Sequence, residues 1–125
     1  MSKVVLITGA TSGMGELSAK FLAQNGYVVY AGSRDASVQS GNGNLRPIYI
    51  DVTKTQSIKD AVAKIVSEQG KIDVLVNNAG FGVVATLEDG SDEEIFNQFD
   101  VNVFGLIKTT REVLPHMRNA KSGVI

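Results

Sequence analysis

A chain of 125 residues with 43% hydrophobic and 20% charged content is sized for one soluble domain with a real core. Its formal net charge of -1, with basic residues scattered singly, gives no electrostatic footprint for nucleic acid. No apolar run reaches membrane-spanning length, no signal peptide precedes the first predicted strand, and the absence of cysteine removes disulfides and thiolate sites, so a cytoplasmic location is the default expectation.

The first predicted strand, Val4-Val5-Leu6-Ile7, runs into the turn Thr8-Gly9-Ala10-Thr11-Ser12-Gly13-Met14-Gly15, which opens a helix. Glycine lets a backbone turn sharply and approach a ligand where a Cβ would collide, and the first N–H groups of the following helix then point at a phosphate. The chemistry implied is pyrophosphate binding by this turn, with Gly9, Thr11, Ser12, Gly13, Met14 and Gly15 as its candidate binding residues. No Gly-Lys-Ser/Thr follows, so the turn is not a P-loop.

Met14, Leu17, Phe21 and Leu22 repeat at helical spacing, and Asn25-Gly26 stops that helix. Tyr27–Ala31 and Leu45–Ile50 read as the second and third strands. The connection Gly32–Asn44 is barely long enough for a parallel crossover and predicts a short or frayed helix. Asp51-Val52-Thr53 ends the third strand, and Thr53-Lys54-Thr55-Gln56 has capping-box spacing. The helix it starts carries Ile58, Ala61, Val62, Ile65 and Val66 on one stripe and stops near Gln69-Gly70. Ile72–Val76, apolar at nearly every residue, suits a central parallel strand covered on both sides.

A polar loop, Asn77-Asn78-Ala79-Gly80-Phe81-Gly82, follows. Ser91-Asp92-Glu93-Glu94 is a second capping box, and the long helix after it is expected to bury Ile95, Phe99, Val103, Leu106, Thr110 and Leu114. Pro115 should kink or end it, leaving His116 solvated at the helix end. Ser122–Ile125 opens a fifth strand. Asp and Glu are spread over helix faces without a recurring ligand spacing, so no metal site is expected.

Strands alternating with helices give an α/β fold, a Rossmann-like doubly wound parallel sheet of about four strands plus the start of a fifth. Ligands of such sheets bind outside the carboxyl ends of the strands. Gly9–Gly15, Gly32–Arg34, Asp51-Val52 and Asn77–Gly80 all fall there, so four polar clusters converge on one crevice.

With these elements in order, the chain resembles the short-chain dehydrogenase/reductase family over essentially all 125 residues. Thr8–Gly15 matches the family's Thr-Gly-x-x-x-Gly-x-Gly, with Met14 where Ile is more usual. Asp51-Val52, Asn77-Asn78-Ala79-Gly80 and Asp100-Val101-Asn102-Val103-Phe104-Gly105 match three further elements. The resemblance implies that Gly9, Gly13 and Gly15 hold the pyrophosphate of a nicotinamide cofactor, that Asp51 and Val52 bracket its adenine, and that Asn77, Ala79 and Gly80 line its ribose side. It makes Asn102 the catalytic Asn, whose backbone distortion holds a water in the proton relay.

The resemblance also places Gly32 where the acidic residue of NAD-type members would sit, followed by Ser33 and Arg34. A carboxylate there accepts hydrogen bonds from the ribose, whereas an Arg pairs with a 2′-phosphate, so NADP is favoured over NAD. Asp35 is the complication, since it could reach the ribose or partly neutralise Arg34.

Carbonyl reduction by the family needs a Tyr with a Lys four residues on and a Ser on the strand that begins at Val124. Tyr27, Tyr30 and Tyr49 are followed four residues later by Ala31, Arg34 and Thr53, so none qualifies. The favoured reading is the amino-terminal, cofactor-binding half of an NADP-dependent oxidoreductase, inactive alone, acting on a small-molecule carbonyl or alcohol and compatible with a homo-oligomer. The alternative is a non-catalytic nucleotide-binding or interaction module complete at this length.

Overall fold

The computed structural model describes residues 2–35 and 43–125. Four strands, β1 (Val4–Ile7), β2 (Val28–Ser33), β3 (Leu45–Tyr49) and β4 (Val74–Val76), form one parallel sheet in the order β3-β2-β1-β4. Val5 pairs with Val29 on one side and Val74 on the other, so β1 is flanked along its length. Among the described residues the helices are α1 (Gly13–Gln24), α2 (Thr55–Gln69), α3 (Asp92–Phe99) and α4 (Leu106–Ala120), with a π-helical segment, Asp100–Gly105, between the last two. The expected short helix between β2 and β3 falls largely on residues 36–42 and lies outside the described residues.

Side chains alternate across the sheet, and each face has its own core. Val4 and Leu6 join Tyr30, Ile48 and Leu75 on the face covered by α2 and α4, where Ile58, Ala61, Val62, Ile65, Val113 and Met117 are buried. Val5 and Ile7 join Val29 and Ala31 on the α1 face. The α2 stripe expected from the sequence is the one buried, with Val66 partly so. The fifth strand begins where expected, since Val124 pairs in parallel with Val74 through Leu75 N–H to Val124 O (2.9 Å) and Val124 N–H to Asp73 O (3.0 Å).

Several expectations are corrected. Met14, Leu17 and Phe21 are 79%, 70% and 64% exposed, and α1 faces the sheet with Gly15 and Ala19, supported by Leu22 and Ala23. Small residues win that face because the helix start lies against the turn that precedes it. The capping box at Thr53 does not form, because the Thr53 hydroxyl donates to Asp51 Oδ1 (2.7 Å) and Lys54 occupies the cap position. By contrast, Ser91 and Glu94 make the full reciprocal box at α3.

The long helix differs most. Ile95, Phe99, Val103 and Leu106 are exposed, Thr110 and Leu114 are half-buried, and the buried stripe is Gly105, Thr109, Val113 and Met117. Their four-residue spacing is continuous with α4, whereas α3 buries none of its side chains. Pro115 neither ends nor interrupts α4, and His116 is half-buried inside it. Pro115 and Arg111, whose carbonyl loses its N–H partner to the proline ring, both lie on the exposed side.

Asp73 ties the start of the sheet together. Its carboxylate accepts from the buried Val4 N–H (2.7 Å) and from Lys71 (3.0 Å), while its own N–H donates to Val4 O (2.9 Å). Asp73→Ala leaves the Val4 donor unpaired and is expected to lower the unfolding free energy by about 1–3 kcal/mol in urea titration. Asp73→Asn keeps an acceptor and should lose less; equal losses would contradict this assignment.

Candidate functional site

The site is built where β1 and β4 end side by side. Thr8, 1% exposed, accepts at its hydroxyl from the N–H groups of Asn78 and Ala79, both at 3.0 Å. Asn78 returns the contact, its side-chain amide donating to Thr8 O (3.2 Å) and Gly9 O (2.9 Å). Gly9 has φ +63°, and a Cβ there would stand 2.8 Å from Ala79 Cα, so only glycine lets the two loops touch. A Cβ on Gly15 would strike Gly9 O and the Asn78 amide, which sets how closely α1 approaches the turn.

Gly13, at φ +54°, faces open space instead. Ser12 stands at the α1 N-cap position without a side-chain capping bond. The first-turn N–H groups of a helix have no intrahelical acceptors, and an anion complements both them and the helix dipole. A glycine with room beside it at an uncapped helix start therefore fits a phosphate group.

At the end of β2, Ser33 Oγ lies 3.4 Å from Thr11 Oγ1 and accepts from Asp35 N–H (2.9 Å). Arg34 is exposed. A Cβ on Gly32 would meet Ile50 Cγ2 at 2.6 Å and Ile7 O at 2.8 Å, so the position has no room for a side chain, acidic or otherwise. After β3, Asp51 accepts from the N–H (2.9 Å) and hydroxyl of Thr53, while Ser57 accepts from Asp51 N–H (2.9 Å) and donates to Asp51 O (2.7 Å). This fastens the Asp51-Val52-Thr53 turn at both ends.

These pieces enclose a cleft of about 690 Å³. Of the predicted residues, Gly9, Thr11, Ser12, Met14, Ser33, Arg34, Asp51, Val52, Ala79 and Gly80 line it. Gly13 and Gly15 supply backbone at the adjoining start of α1. Asn77 turns away, its amide donating to Thr110 Oγ1 in α4 (3.0 Å). Asn102 lies in the π-helical segment and grips the main chain of Phe81, accepting from its N–H (2.9 Å) and donating to its carbonyl (2.6 Å).

Asp35, expected as a complication at the ribose, lines the cleft, and Ile50, Asn78, Phe81 and Val101 also line it without having been among the expected site residues. Asn78 lay inside a loop already singled out, and Thr8 inside the turn. The signal that could have found them is a buried polar pair at two adjacent strand ends.

A family model described as short chain dehydrogenase matches residues 3–125. This chain belongs to the short-chain dehydrogenase family. It is 43% identical over 123 residues to a 3-ketodihydrosphingosine reductase of Bacteroides thetaiotaomicron, covering 98% of this chain and 45% of that protein. Among solved short-chain dehydrogenases and their neighbours, one from Streptomyces avermitilis superposes with a TM-score of 0.93 at 34% identity, covering 99% of this chain and 48% of that one. ElxO with NADP bound gives 0.91 at 29% identity, with 99% and 54% covered. A 3-ketoacyl-(acyl-carrier-protein) reductase of Brucella melitensis complexed with NADH gives 0.89 at 37% identity, with 95% and 52% covered. This short-chain dehydrogenase chain thus spans about half the length of the relatives it matches.

Burial pushes the Asp51 carboxyl up, but the two Thr53 hydrogen bonds and the charges of Lys54 and Arg34 outweigh it and hold Asp51 below its ordinary value. A carboxyl depressed in the folded state contributes stability that is full above its unfolded value and is lost as pH falls through the folded one. Unfolding free energy should therefore drop below about pH 4, and Asp51→Asn should remove part of that drop. A variant that keeps the full acid loss would contradict the assignment. Thr8→Val strands two N–H groups and is expected to destabilise by about 2–6 kcal/mol, read as a lower Tm.

Proposed function

We propose that this chain is the cofactor-binding half of an NADP-dependent oxidoreductase that transfers hydride between the nicotinamide and a small-molecule carbonyl or alcohol. The observation that carries the reading is the convergence of four strand ends on one cleft whose glycine-rich side leaves a helix start uncapped. When bound, the nicotinamide ring supplies or accepts the hydride. The chain's own residues bind and orient: Gly9, Gly13 and Gly15 hold the pyrophosphate with Thr11, Ser12 and Met14 around it, and Asp51 and Val52 bracket the adenine.

Ala79 and Gly80 stand on the ribose side, with Asn77 supporting their loop through Thr110. The π-helical backbone around Asn102 supports the reading that a distorted turn there holds a water for the proton relay. The Tyr, Lys and Ser of that relay would come from beyond these 125 residues, a reading supported by relatives about twice as long.

The choice of NADP rests on the end of β2. Position 32 has no room for the acid that would bind an unphosphorylated ribose, and Arg34 on the cleft supplies a cation for a 2′-phosphate. ElxO was solved with NADP, whereas the Brucella melitensis reductase was solved with NADH, so resemblance alone does not choose between them.

Calorimetric titration should show NADPH binding more tightly than NADH. A charge-assisted hydrogen bond is worth about 1.5–3 kcal/mol, so Arg34→Ala should weaken NADPH by about ten- to a hundredfold and leave NADH nearly unchanged. Equal losses for both cofactors would contradict the assignment of Arg34. Turnover of ketones and aldehydes by the 125-residue chain with NADPH should be undetectable, and measurable turnover would overturn the division of labour.

A further inference from the structure

We infer that Gly105 is a positioning residue for the adenine wall of the cleft, acting through Val52; the inference rests on the cofactor reading above. Gly105 is buried at the last position of the π-helical segment. A Cβ on it would lie 2.6 Å from Val52 Cγ2 and 2.9 Å from Val52 Cβ. The bare backbone of the segment is therefore the surface on which Val52 is seated.

Val52 cannot simply yield. Rotation about χ1 would move its Cγ2 but not its Cβ, and the branched side chain has few rotamers. The main chain on either side is fastened, by Thr53 on Asp51 and by Asp51 on Ser57. Lys108, one turn beyond Gly105, adds a second hold from the same helix, its ammonium donating to Thr53 O (3.5 Å) while lying 3.9 Å from Asp100. A methyl group at position 105 must push the Val52 side chain or its turn toward the cleft that Val52 lines.

The same short segment holds another part of the lining. Asn102 grips the main chain of Phe81, and its chain neighbour Val101 lines the cleft itself. A π-helical turn packs extra backbone into one turn, and such turns recur at functional sites. Here it serves both sides: Asn102 reaches the loop after β4, and Gly105 receives the turn after β3. Gly105 thus sets where the adenine wall stands relative to the rest of the cleft.

The test is a double-variant cycle on this chain, with NADPH as probe, calorimetry for affinity and circular dichroism for folding. Gly105→Ala is expected to weaken NADPH about tenfold. In a Val52→Gly background, which removes both the colliding methyl and the Cβ that stands 2.9 Å away, adding Gly105→Ala should change affinity less than twofold. Gly105→Ala binding within twofold of wild type, or the same tenfold loss persisting in the Val52→Gly background, overturns the inference.

If Gly105→Ala alone fails to fold, the double variant carries the test. Its folding and its binding like Val52→Gly support the inference, and its failing to fold overturns it. A wild-type chain that does not bind NADPH overturns the cofactor reading first and the inference with it, whereas a wild type that binds with no coupling between positions 52 and 105 overturns the inference alone.

Discussion

Two strand ends meet backbone to backbone in this molecule, and the cleft depends on that contact. Gly9 and Ala79 approach so closely that no Cβ fits between them, and the Thr8 hydroxyl bridges the N–H groups that the approach would otherwise strand. An unpaired buried donor costs about 1–3 kcal/mol, so the lock of Thr8 and Asn78 is what makes the close approach stable. Because β1 and β4 are adjacent in the sheet order, the crossing point of the two loops is fixed by topology and not by loop sequence alone.

The two faces of the sheet follow from this contact. On the α1 side, the helix leaves the turn at once and must lie close to it, so Gly15 and Ala19 face inward and the large residues Met14, Leu17 and Phe21 face outward. On the other side no such demand exists, and α2 fills its stripe with branched aliphatic residues against Leu6, Tyr30 and Leu75. The shape of the cleft and the stability of the fold are thereby divided: the small-residue face shapes the cleft, while the large-residue face buries most of the core.

How much was legible follows the same division. The strands and α2 could be read because their apolar periodicity is what buries them. The face of α1 could not, since a reading weighted toward large residues selects Met14, Leu17 and Phe21 over Gly15 and Ala19. The long helix misled for a different reason: its bulkiest apolar residues, such as Phe99 and Leu106, stay exposed, and the buried stripe starts from a glycine in a π-helical turn that a regular 3.6-residue period does not describe. Thr53 looked like a helix cap because the spacing was right, but Asp51 two residues earlier competes for the same hydroxyl. Most of the cleft lining was readable from strand-end clusters; the Thr8 to Asn78 lock and the seat of Val52 on Gly105 are long-range contacts that no local pattern encodes.

The central claim is that the cleft at the four strand ends holds a nicotinamide dinucleotide with its pyrophosphate at the start of α1. Amide chemical shifts of the isotope-labelled chain, recorded with and without saturating NADPH, test it most directly. The account predicts that the largest changes fall together on Gly13, Met14, Gly15, Val52, Thr53, Ala79 and Gly80. Changes absent from the start of α1, or confined to the exposed face of α3, would contradict it.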